Sequence, residues 1–216
     1  MQVEAVFFDL DGVLADSRQA FAHCINHALA QTGLPMQEEA RLHRLNGPPL
    51  HGTFVRLLGE IGADPSLAEE CVLHYREVYS AVSLERTYPV PGMAELLEEI
   101  AGRATVMVVT SKPAEFAVPL VEMLGYAAWT QRVFAPSLDA LHEEKSASLV
   151  RALEAASIPV SPQPPHRAWM VGDREHDVIA GKACGIATAG VAWGIGDRAE
   201  LEAAAPDVIV DTTGEL

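Results

Sequence analysis

The sequence predicts an α/β protein: a Rossmann-like, doubly wound parallel sheet with an α-helical domain inserted into it. Two observations carry that class. Apolar runs of strand length recur along the chain, and from residue 92 onward they alternate with amphipathic helical patterns. Strands that are apolar throughout, rather than at every second position, belong to a parallel sheet covered on both faces. Residues 17 to 85, in contrast, carry helical periodicity and no convincing strand.

The expected strands are VEAVFF (3–8), TVMVV (105–109), RVFA (132–135), AWMV (168–171), residues 186–191 and DVIV (207–210). Between them, Met93, Leu96, Leu97 and Ile100 mark one helix face, Leu149, Val150 and Leu153 a second, and Val178 and Ile179 a third. Pro119 lies inside the helical pattern that follows Pro113. A proline there costs about 3 kcal/mol, so a kink or a late helix start is expected. In the insertion, Phe21, Cys24, Ile25, Ala28 and Leu29 follow helical spacing, with Ser17 placed as N-cap. Ala68, Cys71, Val72, Tyr75, Val78 and Val82 form a second stripe, and LNGPPL (45–50) and GADPS (62–66) supply breaks. These stripes read as the core of the insertion. The resulting organisation is a core of residues 1–15 and 87–216 and a helical domain of residues 16–86. SPQPPH (161–166) reads as a Pro-rich loop ahead of a strand.

With 216 residues, 49% of them hydrophobic, the chain can bury a core. No apolar run approaches the roughly 18 residues a membrane span needs, so no membrane partner is expected. The opening MQVEAVFF has no basic stretch before its apolar run, which speaks against a signal peptide. Cys24, Cys71 and Cys184 are odd in number, dispersed and free of any CxxC spacing, as buried thiols of a cytoplasmic protein would be. A net charge of −15 argues against a nucleic-acid partner. It does not exclude an anionic substrate, because lysines and a metal can reverse the field inside one cleft. A monomer or weak homodimer is expected.

In open parallel sheets, ligands bind beyond the carboxyl ends of the strands. Asp9 and Asp11 follow the first strand; Thr110, Ser111 and Lys112 follow TVMVV; Gly172, Asp173 and, further on, Asp177 follow AWMV; Lys145 opens the helix after RVFA. Four carboxylates, a hydroxyl pair and two lysines thus converge on one sheet edge. Acids so crowded call for a divalent cation, and a hard oxygen cluster with open positions suits Mg²⁺ carrying waters and a substrate phosphate. Hydroxyls, backbone N–H groups and a lysine would bind that phosphate. One carboxylate can then act as nucleophile, and a second can protonate the leaving oxygen and later activate water.

FDLDGVL (8–14), VVTSK (108–112), Lys145 and VGDREHD (171–177) resemble the four ordered motifs of the haloacid dehalogenase superfamily, with the insertion in the place of its mobile helical cap. NGPPL (46–50), TSKP (110–113), SLDALHEEK (137–145), GDREHDVIAGKACGI (172–186) and GVAWGIG (190–196) resemble its phosphoglycolate phosphatase-like and 5′-nucleotidase-like branch. The resemblance implies Asp9 as nucleophile and Asp11 as general acid/base. It implies a Mg²⁺ held by Asp9, the Asp11 carbonyl and Asp173, with Asp177 behind them or bridging through water, and a phosphoryl group bound by Thr110 and Lys145. Asp11 implies hydrolysis of the intermediate and disfavours dehalogenation. Ser146 follows Lys145 where relatives commonly have proline, a departure that bears on local backbone geometry. The expectation is a Mg²⁺-dependent phosphatase of small soluble phosphomonoesters, with phosphoglycolate and nucleoside monophosphates as candidates. A sugar phosphomutase resembling β-phosphoglucomutase is the alternative, and an idle binding module a third.

Each feature has a plainer reading when taken alone. DLDG is a turn sequence, Thr110 a strand-end hydroxyl, and GDREHD an N-cap with a solvated first turn. Lys112 either reaches the cleft or complements the acidic surface. Arg174, Glu175 and His176 read as a helix face, His23 and His27 as surface residues, and Trp193 as a packing residue. Arg41, His43, Arg44, His51 and Arg56 are candidate substrate donors, and Phe54 is the nearest candidate for stacking on a base.

Overall fold

The computed structural model describes residues 3–46, 50–140, 143–160 and 167–216. The SPQPPH loop and the middle of the LNGPPL break lie outside the described residues, as do two positions of SLDALHEEK. The chain divides into two compact units, one of Met1–Asp16 and Tyr88–Leu216, the other of Ser17–Thr87.

All six expected strands form in the first unit. They are β1 (Ala5–Phe8), β4 (Thr105–Val109), β5 (Val133–Phe134), β6 (Ala168–Gly172), β7 (Ala187–Val191) and β8 (Val208–Val210). They lie parallel in the order β5-β4-β1-β6-β7-β8. Two very short strands that the sequence does not announce, β2 (Ala15–Asp16) and β3 (Tyr88–Pro89), pair antiparallel where the chain leaves this unit and returns to it. A two-residue strand has no periodicity to read.

Successive side chains of a strand point to opposite faces, and β1 shows both being buried. Val6 and Phe8 join Met93, Leu97 and Ile100 of α5 (Met93–Ala101) and Ala117, Leu120 and Val121 of α6 (Ala114–Met123). Ala5 and Phe7 join Leu149 and Leu153 of α7 (Lys145–Ala155) and Ala180 of α8 (Glu175–Ala183). Burying one such phenylalanine stabilises the fold by about 1.5–3 kcal/mol, so β1 is anchored from two sides. Strand order reverses across β1, since β4 lies on one flank and β6 on the other. The carboxyl end of β1 is therefore the switch point at which open sheets bind ligands.

Pro119 does not delay α6, which begins at Ala114 and runs through the proline to Met123. At the sixth position of the helix the ring removes one ladder bond, the one an N–H there would have made to the Glu115 carbonyl.

The regular structure of the second unit's described residues is all helical: α1 (Arg18–Gln31), α2 (Glu39–His43), α3 (Leu50–Glu60), a short 3-10 turn at Pro65–Leu67, and α4 (Ala68–Arg86). Its core holds Phe21, Phe54, Tyr75 and Tyr79; the Tyr75 ring stacks on Tyr79 at 5.1 Å and meets Phe21 and Phe54 edge-on. Ser17 sits at the N-cap of α1 but its side chain does not cap the helix; its hydroxyl accepts instead from Asn46 Nδ2 at 3.4 Å. Among the described residues no helix is long and apolar enough to cross a membrane.

Candidate active site

Asp9 extends the sheet by one residue. Its N–H donates to the Val171 carbonyl at 2.9 Å, which fixes its backbone between β1 and β6. Leu10 is fully buried, and its carbonyl accepts from both Leu14 and Ala15, so the chain turns back at once and presents Asp11 beside Asp9. Gly12 makes that turn possible with φ of +85°. A Cβ there would also fall 2.2 Å from Asp173 Oδ2, so only glycine admits the β6 carboxylate this close.

The neighbouring strands supply the rest. After β4, Thr110 is buried and its hydroxyl accepts the Lys112 N–H at 3.2 Å, while Ser111 is exposed. That turn brings the Lys112 side chain, only 6% exposed, to 2.9 Å from Asp11 Oδ2. Lys112 thus reaches the site. After β6, Asp173 follows Gly172, whose hypothetical Cβ would fall 2.0 Å from Asp177 Cγ. Asp177, in the first turn of α8, accepts the Arg174 N–H at 3.0 Å and is buried, while Glu175 and His176 of the same turn are exposed. Lys145, the first residue of α7, lies 3.0 Å from Asp9 Oδ1 and donates to Asp177 Oδ1 at 2.5 Å.

The electrostatics of the site are strongly negative. Carboxylate oxygens of Asp9, Asp173 and Asp177 lie within 4.8 Å of one another. With Asp11, four carboxylates face the two ammonium groups of Lys112 and Lys145, an imbalance equal to the charge of one divalent cation. Burial raises the Asp9 pKa to about 6; Lys145 draws it down, while Asp177 and Asp11 push it up. Burial, then Asp177 and Asp9, raise Asp173 to about 7, against two backbone N–H donors. Burial disfavours the charge on Lys145, but Asp177 and Asp9 outweigh it and hold its pKa above the ordinary value. Asp9 Oδ1, Asp11 Oδ1 and Asp173 Oδ1 are buried and receive no hydrogen bond; for Asp9 the Lys145 ammonium stands at ion-pair distance without that alignment. Buried anionic oxygens without donors are what a hard cation requires, and Mg²⁺ fits the donor set. Both oxygens of Asp177 already have partners, Lys145 and the Arg174 N–H.

Some contributors are invisible in a reading of side chains. Ile195 and Gly196 donate their backbone N–H groups to Asp173 Oδ2 at 2.6 and 3.0 Å. The one sequence signal was the Gly-x-Gly of residues 194–196. Trp193 packs against the core and donates to the Val13 carbonyl at 3.4 Å. Arg174 is not on an open helix face; it is the N-cap of α8 and pairs with Glu200 at 2.8 Å. His176 and His23 are exposed, and His27 is half-buried.

The candidate substrate donors of the helical unit fare unevenly. Arg41 and Arg56 share Glu60, at 2.9 and 2.8 Å. Phe54 is fully buried in that unit's core and offers no face for a base. His43 keeps a buried Nε2 without a hydrogen-bond partner, and Arg44 and His51 are exposed.

A family model described as haloacid dehalogenase-like hydrolase matches residues 6–191. A 5′-nucleotidase of Pseudomonas aeruginosa is 32% identical over 202 residues, covering 93% of this chain and 88% of that protein. A phosphoglycolate phosphatase of Pseudomonas savastanoi pv. phaseolicola is 28% identical over 216 residues, covering 98% and 77%. Among solved structures, a haloacid dehalogenase-like hydrolase of Streptococcus pneumoniae superposes with a TM-score of 0.87 at 25% identity, covering 99% of this chain and 96% of that one.

Proposed function

Because the chain belongs to the haloacid dehalogenase-like hydrolase family, we propose that it is a Mg²⁺-dependent phosphatase that hydrolyses small soluble phosphomonoesters through an aspartyl-phosphate on Asp9. The observation that carries this reading is that the two adjacent aspartates have different surroundings. Asp9 is buried against Lys145, whereas Asp11 is a quarter exposed and paired with Lys112. Two carboxyl groups in unlike environments can take unlike roles: Lys145 and a bound Mg²⁺ would keep Asp9 as the carboxylate, which leaves the proton to Asp11.

In the first step an Asp9 carboxylate oxygen attacks phosphorus, the bond to the leaving oxygen breaks, and the Asp11 carboxyl gives its proton to that oxygen. In the second, the Asp11 carboxylate takes a proton from water, the water oxygen attacks phosphorus, and Asp9 is released as carboxylate. Thr110, whose hydroxyl accepts from Lys112 N–H, keeps its own proton to donate to a phosphoryl oxygen. Lys145 neutralises charge beside Asp9 throughout. Asp9, the Asp11 carbonyl and Asp173 would hold Mg²⁺, which when bound would neutralise the phosphate and the crowded acids, while Asp177 fixes Lys145.

Nucleoside monophosphates and phosphoglycolate are the first substrates to try. The relative named 5′-nucleotidase supports the former, although Phe54 gives a base no stacking surface. The test is inorganic phosphate release from p-nitrophenyl phosphate, nucleoside 5′-monophosphates, phosphoglycolate and sugar phosphates, with and without Mg²⁺. Metal-dependent release supports the reading. Isomerisation of a sugar 1-phosphate with little release of phosphate would replace it with a phosphomutase.

A further inference from the structure

Asp173 is a buried carboxylate with Asp9 and Asp177 for neighbours, so its orientation has to be imposed. Ile195 and Gly196 impose it by holding Oδ2, which leaves Oδ1 buried and without a donor. The direction of the free oxygen therefore depends on where the loop of residues 193–197 sits. That loop runs directly into α9 (Arg198–Ala204), whose N-cap Asp197 accepts from Ala199 N at 2.9 Å.

Glu200, in the first turn of α9, ties this helix back to the strand end that carries Asp173. Its Oε1 receives Arg174 Nε at 2.8 Å and the Glu175 backbone N–H at 2.9 Å. Arg174 is the residue next to Asp173, so chain, carboxylate and loop close a ring around the metal-facing acid. The ring is tight: a Cβ on Gly196 would fall 1.9 Å from the Asp173 carbonyl oxygen and 2.8 Å from Arg174 Cδ. The pair is also shielded, with side chains 19% and 22% exposed, unlike the half-exposed Arg198 of the same helix, which pairs with Glu202 and Asp211.

We infer that Glu200 is a positioning residue of the Mg²⁺ site: by gripping Arg174 and the Glu175 N–H it fixes the 193–197 loop, and through that loop the rotamer of Asp173. It touches neither substrate nor metal. Partners behind a ligand of this kind typically change metal affinity by about 10–100-fold when removed.

The inference rests on the reading of Asp173 as a Mg²⁺ ligand, and one experiment separates the two. Mg²⁺ is titrated calorimetrically into metal-free wild type, Glu200→Gln, Glu200→Ala and, as a control for a general loosening of α9, Arg198→Ala. Expected is a loss of Mg²⁺ affinity of about tenfold or more in Glu200→Ala, a smaller loss in Glu200→Gln, none in Arg198→Ala, and a kcat at saturating Mg²⁺ that is retained. Unchanged affinity in both Glu200 variants, or an equal loss in Arg198→Ala, overturns it. If Glu200→Ala does not fold, Glu200→Gln decides. Wild type that binds no Mg²⁺ would sink the metal reading itself, whereas equal binding by wild type and the folded Glu200 variants sinks only the role of Glu200.

Discussion

On the helical unit, Arg41 and Arg56 meet the single carboxylate of Glu60 at the surface, each side chain a third or more exposed. At the carboxyl edge of the sheet, Lys145 and Lys112 meet Asp9, Asp177 and Asp11 with the lysines 6% exposed. The residue types are alike and the energetics are not. Water screens the first group, and rearranging it costs little. The second has an excess of buried negative charge and carboxylate oxygens that no donor reaches, an arrangement that folding alone would not favour. A charged cluster points to chemistry when it is buried and unbalanced, and the substitutions below test that distinction.

The largest effect is expected at Asp9. Asp9→Asn preserves shape but removes the proposed nucleophile and a proposed ligand oxygen, and kcat should fall by roughly four orders of magnitude or more. Phosphate release assays on purified, folded variant check this. Residual turnover near wild type would rule out an aspartyl-phosphate on this residue.

Lys112 comes next. Its ammonium holds one oxygen of Asp11 while the other has no donor, so it fixes the proposed acid/base group in place. Lys112→Met should lower kcat by about 10–100-fold, a fraction of what acid–base catalysis as a whole supplies, with KM changing much less. A rise in KM alone would instead make Lys112 a substrate-binding group.

Stability should follow protons and metal together. The folded-state pKa values of Asp9 and Asp173, about 6 and about 7, exceed the ordinary 3.8. The folded protein therefore holds protons that the unfolded chain has released. That contribution is fully present below pH 3.8 and is lost as pH rises through about 6 and then about 7. Metal-free protein should melt at progressively lower temperature across this window, and Asp173→Asn should flatten the fall. Mg²⁺ at pH 7.5 should raise Tm, since a hundredfold excess over Kd adds about 2.7 kcal/mol of stability. Melting curves indifferent to both pH and Mg²⁺ would contradict the picture of an unbalanced acid cluster.

How much of this could be read in the sequence depends on whether side chains carry the information. Ala5–Phe8 ending in Asp9 and Asp11 is legible because a fully apolar run and two acids are both side-chain signals. Thr110, Lys145 and Asp173 follow by applying the strand-end rule to the other runs. The donors to Asp173 are backbone N–H groups of Ile195 and Gly196, which any residue possesses, so only the glycine spacing hinted at them. Partnership between distant residues was equally hidden: Lys112 could not be placed on the cleft or the surface without knowing that Thr110 turns it toward Asp11. Ser17 occupies the cap position yet bonds Asn46, because a hydroxyl at an N-cap has a choice of partners. Phe54 illustrates the same limit: its place in a helical stripe is compatible with a core or a ligand face, and packing against Tyr75 decides for the core.

The smallest effect is expected where the comparison began. Glu60→Gln removes the charge that Arg41 and Arg56 share, and all three side chains are at least a third exposed. The two hydrogen bonds from Arg56 Nε and Arg41 Nη2 can still reach the amide oxygen or be replaced by water. Exposed pairs of this kind contribute little because solvent screens them and ordering two long side chains opposes them, so Tm should move by no more than about 2 °C. Phosphatase activity at saturating Mg²⁺ should be unchanged if the two arginines serve only the surface. A clear gain or loss of kcat/KM for one phosphate ester and not for another would show that Glu60 restrains arginines that otherwise reach the substrate. The distinction between a screened cluster and a catalytic one would then fail on the helical unit.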